Sequence, residues 1–96
     1  MNEETATLIA QVDIGDQAKR FFESDLGRFL TGRSMQDTEE AVAELKYANP
    51  QDGDKIAELQ MRIQVSEAAL KWLAAAIVEG EQAEYQIHER EALTNG

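Results

Sequence analysis

The residues best placed to do chemistry in this 96-residue chain fall in one stretch, GRFLTGRS, residues 27 to 34. Two glycines with four residues between them, then a basic residue and a serine, outline a phosphate-binding loop, with Arg33 where that motif takes lysine. Such a loop works when backbone amides following a buried strand curl around a phosphate, backed by a helix N-terminus. The residues before Gly27, AKRFFESDL, alternate poorly and read as helix, and no second strand can bring an acid to magnesium. Phe29 and Leu30, between the glycines, suit burial against a helical core. The glycines are expected to permit close helix packing or to mark a kink, and no cofactor is expected.

Other chemistry finds less support. Ser24, Ser34 and Ser66 have no histidine nearby in sequence to act as base, and His88 is the one histidine of the chain. Glu84 stands one helical turn before it, a pairing common on helix surfaces. Without cysteine or a second histidine, neither a zinc site nor a disulfide framework is expected. The chain reads as a non-enzyme.

The elements that would position these residues are helical. One proline and an abundance of Ala, Glu, Leu and Gln favour helix over strand. The strongest periodicity runs through Ile56, Leu59, Ile63, Ser66, Leu70, Leu73 and Ile77, spaced alternately by 3 and 4. That is a heptad seam with one polar member, and it weakens at Gly80, Glu84, Ile87 and Glu91. Asp54 is expected to cap this helix, and Gly80 is the expected site of a bend or a close approach. A second stripe, Val65, Ala68, Ala69, Trp72, Ala75, Ala76 and Ala83, calls for a third helix or another subunit.

Upstream, SMQDTEEAVAELKYA places Met35, Thr38, Ala41, Val42, Leu45 and Ala48 along one side of a helix. NPQDGD then forms a polar connection, Pro50 disfavouring helix at Asn49 and Gly53 freeing the turn, so the helices fold back antiparallel. TATLIAQV reads as a short helix on Leu8, Ile9 and Val12, broken at DIGDQ, with Asp16 capping a further helix. Phe21, Phe22, Leu26, Phe29 and Leu30 form the main aromatic cluster, whose expected partner is the Trp72 face. The expected fold is all-α: a single domain with an N-terminal helical segment over residues 1–23 and a long antiparallel hairpin of residues 24–48 and 55–91. The C-terminal overhang of the hairpin is expected to fray, to fold onto the N-terminal segment or to dock on another subunit, and Tyr85 and Ile87 favour docking.

The formal charge of −10 is unevenly placed: six acids and four bases in residues 1–34, thirteen acids and five bases in residues 35–96. That balance opposes direct contact with nucleic acid or an anionic membrane, since phosphate binding depends on Lys and Arg. No uncharged apolar run approaches the ~20 residues of a bilayer span, and the acidic N-terminus does not read as a signal peptide. A soluble protein is expected. Lys19, Arg20, Arg28 and Arg33 could neutralise acids on a neighbouring helix or subunit. Asp37, Glu39, Glu40, Glu44, Glu79, Glu81, Glu84, Glu89 and Glu91 read as solvated faces, or alternatively as an imitation of nucleic-acid phosphates.

The segments AKRFFESDLGRFLTGRS and ALKWLAAAIVEGEQAEYQI resemble a group of small helical proteins encoded among the head and DNA-packaging genes of tailed bacteriophages. The likeness is carried by Phe22, Leu26, Gly27, Arg28, Leu30, Arg33 and the segment from Trp72 to Glu81. It implies a phage accessory protein, located in the virion or the host cytoplasm, with phage structural or packaging proteins as partners. The expected function is binding through apolar helical faces, with homo-oligomers formed or virion components engaged. Candidate contact residues are Phe21, Phe22, Phe29, Trp72, Tyr85 and Ile87; candidate steering charges are Arg28, Arg33, Glu79, Glu81 and Glu84. The alternative is an acidic inhibitor of a host DNA-binding defence protein.

Overall fold

A computed structural model describes residues 2–95, and among them the protein is all-α, a helical hairpin preceded by an N-terminal helix. Helix α1 spans Glu3–Glu23, α2 Asp25–Tyr47 and α3 Gly53–Asn95. Asn2 caps α1, its side chain accepting from the Thr5 amide at 2.8 Å. Glu3 and Glu4 in the first turn and Arg20 in the last suit the helix dipole.

DIGDQ does not break α1, which passes through Gly15 without interruption. The break falls at Ser24, whose backbone is extended (φ −73°, ψ 160°). The Ser24 hydroxyl donates to the Phe21 carbonyl at 2.6 Å, the local competition with helix at which serine excels. α2 resumes at once and ends before Asn49-Pro50, where the ring disfavours helical geometry in the preceding residue. In the connection, Asn49 Oδ1 accepts from the Gln51 amide at 2.9 Å, and Asp52 Oδ1 from the Lys55 amide at 3.1 Å. The cap of α3 is thus Asp52, two residues before the expected Asp54, and Gly53 lies inside the first turn with no positive φ.

Packing groups the helices into two units, to both of which α3 contributes. Unit 2 holds α2, the connection and α3 as far as Lys71. Its helices run antiparallel, with Arg62 of α3 reaching Glu40 (3.4 Å) and Glu44 (3.7 Å) of α2. Ala41 and Leu59 are fully buried between them. Thr38, Leu45 and Ala48 are half-buried with Ala41, whereas Met35 and Val42 are exposed, so the inward stripe of α2 is narrower than its apolar pattern. Ser66 brings its polarity into the seam and has it satisfied. Its hydroxyl lies 2.8 Å from Thr38 Oγ1 and can donate to the Ile63 carbonyl, while the Ser34 hydroxyl donates to the Ser66 carbonyl.

Unit 1 holds α1 and Ser24 with α3 from Trp72 onward. Of the three fates expected for the C-terminal part of α3, the structure shows the second rather than the favoured docking: it lies antiparallel against α1. Glu4 pairs with Arg90, and Lys19 with Glu81 at 3.7 Å. The crossing is made by glycines: a Cβ on Gly80 would stand 3.0 Å from both the Gln11 carbonyl and the Gly15 Cα. Leu8, Ala18 and Ala83 complete the buried set of this unit. Gly80 is therefore a close approach within an unbroken helix, and the helix packed there buries Ala83 while Trp72 stays 74% exposed. The expectation that the N-terminal segment covers the Trp72 face is corrected: two helices meet most closely where side chains are smallest, so α1 takes the Gly80 line.

Candidate interaction site

The GRFLTGRS stretch lies within α2, where its backbone follows the helix rather than a phosphate-cradling loop. Gly27 is buried, while Gly32 faces open space. Arg33 Nε sits 3.6 Å from Asp37 Oδ1 one turn on, and the Ser34 hydroxyl is engaged by α3. Among the described residues, no group of three or more His, Cys, Asp or Glu is placed to hold a metal ion. No described helix is long and apolar enough to cross a membrane.

What the helices do assemble is exposed apolar surface. In unit 2, Leu26, Phe29 and Leu30 stand at i, i+3 and i+4 on α2, all exposed, with Arg33 next along the same side. Phe29 is 64% exposed. Arg28 flanks Phe29 and, among the described residues, has no carboxylate within ion-pair distance. Met61 and Val65 of α3 are exposed as well.

In unit 1 the outward side of α3 carries Val78, Gln82, Tyr85 and Glu89, spaced 4, 3 and 4. These four, with Glu81 and Gln86, line a shallow depression. Tyr85 is 68% exposed. Phe21 and Phe22 are half-buried, their rings 6.4 Å apart and tilted by 59°. Ile87 is also half-buried, beside Thr5, Arg90, Glu91 and Thr94. Glu79, Glu81 and Glu84 are all exposed, with Glu81 held by Lys19.

The candidates thus fall into two sets. Phe29, Trp72 and Tyr85 offer their rings to solvent; Phe21, Phe22 and Ile87 are committed in part to the fold. Leu26 and Leu30, expected in the aromatic cluster, join the exposed set, as does Val78, which the sequence did not single out. The signal that finds them is helical spacing: Leu26 lies three and four residues before Phe29 and Leu30, and Val78 lies two turns before Tyr85. No family model, curated protein or solved structure matches the chain.

Proposed function

We propose that this chain is a non-enzymatic interaction protein of the phage head or packaging type, working by burial of exposed helical faces against protein partners. One observation carries the reading: large side chains on several faces (Phe29, Trp72, Tyr85, Val65, Met61) lie in water, while among the described residues the buried apolar set is confined to Leu8, Ala18, Ala41, Leu59 and Ala83. Scattered exposed apolar residues are normal, but runs at helical spacing are the pattern of a face awaiting a partner. At about 25 cal/mol per Å² of apolar area, covering even one such face outweighs any exposed ion pair of this surface. The phage setting rests on the resemblance of the Phe22–Arg33 and Trp72–Glu81 segments.

The test is light scattering across a wide concentration range, with capture on the tagged full chain from phage-infected cells, for wild type and for Phe29→Ser and Trp72→Ser. Loss of self-association, or of a phage structural or packaging protein, on either substitution supports the reading. A monomer at every concentration, with identical captured proteins for all three chains, ends it. Capture of a host nucleic-acid-binding protein that collapses in moderate salt and ignores both substitutions transfers the function to the acidic faces.

A further inference from the structure

The two exposed ridges differ in charge, and each is defined within its own unit. The α2 ridge is apolar and basic: Leu26, Phe29 and Leu30 with Arg33, and Arg28 at its flank. The outward ridge of α3 is apolar and acidic: Val78 and Tyr85, with Glu81 and Glu89 lining the same depression. In a chain of formal charge −10, random docking of two copies is opposed by like charge. A basic ridge within such a chain finds its complement most readily on an identical chain.

We propose that the occupant of each ridge is a second copy of this chain, the α2 ridge of one molecule seating on the Val78–Tyr85 ridge of another. Phe29 enters the shallow depression beside Tyr85, where aromatic and aliphatic groups cover each other. Arg28 and Arg33 face Glu81 and Glu89. The contact joins unlike surfaces and is therefore heterologous, each molecule carrying both halves. Three observations support a second copy as the occupant. Arg28 and Arg33 on one ridge are opposite in sign to Glu81 and Glu89 on the other, although Arg33 also meets Asp37, and Glu81 meets Lys19, in exposed pairs of their own chain. Arg28 has no ion-pair partner in its own chain among the described residues. The chain also exposes 7289 Å², where a folded monomer of 10.7 kDa exposes about 5,500 Å². The excess is ample for a standard interface, which takes about 800 Å² from each partner.

This inference rests on the proposed function and sharpens it, and charge reversal distinguishes the two. Sedimentation velocity would be run on wild type, on the R28E/R33E chain, on the E81K/E89K chain and on an equimolar mixture of the two variants, with circular dichroism to confirm retained helix. Wild type should associate, and each variant alone should weaken association by about tenfold or more, since both its ridges then carry one sign. The mixture should recover association, because the reversed ridges meet opposite charge again. Wild-type association that neither reversal weakens, or a mixture that stays as weak as its components, overturns the ridge pairing and leaves the interaction reading standing on another face. A wild-type monomer throughout overturns the pairing as well. The interaction reading then depends on capture of another protein.

Discussion

At the residue scale, the two most informative positions are glycines with opposite environments. Gly80 sits where α1 and α3 approach so closely that an added methyl would lie 3.0 Å from backbone on the facing helix. Gly32 has nothing within 4 Å of where its Cβ would be. In both, alanine would gain about 1 kcal/mol of helix propensity. At Gly32 nothing opposes that gain, so Gly32→Ala should stabilise the protein by up to about 1 kcal/mol, a rise in Tm of several degrees. At Gly80 the helices must separate, and overpacking of this kind costs about 1–3 kcal/mol. Gly80→Ala should therefore be destabilising by about 1 kcal/mol net, and Gly80→Leu by considerably more. Urea midpoints for the three variants check the pair. A stabilising Gly80→Ala would mean that the crossing has slack and that Gly80 does not set it. The sequence singled out Gly80 as a bend or a close approach, and the structure selects the second. DIGDQ around Gly15, its counterpart, reads as a helix breaker because a glycine with Asp13 and Asp16 close by looks like a turn until the facing helix is known.

At the element scale, the seam from Ile56 to Ile77 was legible because periodicity over many residues survives local noise, and every member of it is buried or half-buried. The ends of the elements were less legible. Asp52 and Asp54 flank Gly53 and both have the chemistry of a cap, so composition could not choose between them. The Asp52 carboxylate accepts from the Lys55 amide, whereas Asp54 lies within the first turn, where it contributes only through the dipole. Asp52→Ala should cost about 1 kcal/mol, and Asp54→Ala a few tenths. Thermal unfolding of both variants decides it; equal losses would show that the capping bond is not what anchors α3. The division expected between residues 23 and 24 lies at the Ser24 break between α1 and α2. Ser24 makes that end by turning its hydroxyl back to the Phe21 carbonyl. The Trp72 face was misassigned because a stripe in a sequence announces an apolar surface without saying whether its cover lies in the same chain. α1 takes only the small-residue end of that stripe, Ala76 and Ala83 with Gly80, and leaves Trp72 exposed.

At the scale of the whole molecule, a buried apolar set this thin means that the proposed association would be coupled to folding. A 96-residue chain whose fully buried large side chain is Leu59 has little to set against the conformational entropy of ordering three helices. Its exposed surface, about a third above that of a folded monomer of its mass, still holds apolar area that association can use. Stability should then rise with protein concentration, since a partner that binds only the folded state shifts unfolding by mass action. Taken from the dissociation constant to a hundredfold above it, the chain should gain roughly 2 kcal/mol, or about 10 °C in Tm. Tyr85→Ser and Phe29→Ser remove side chains that solvent already surrounds, so neither should lower Tm at the dilute end by more than a degree or two. Both should flatten the rise. Reversible scanning calorimetry over that range separates the possibilities. A Tm that does not move with concentration in the wild type would mean that each chain is stable alone, and the exposed rings would then have no part in holding the fold.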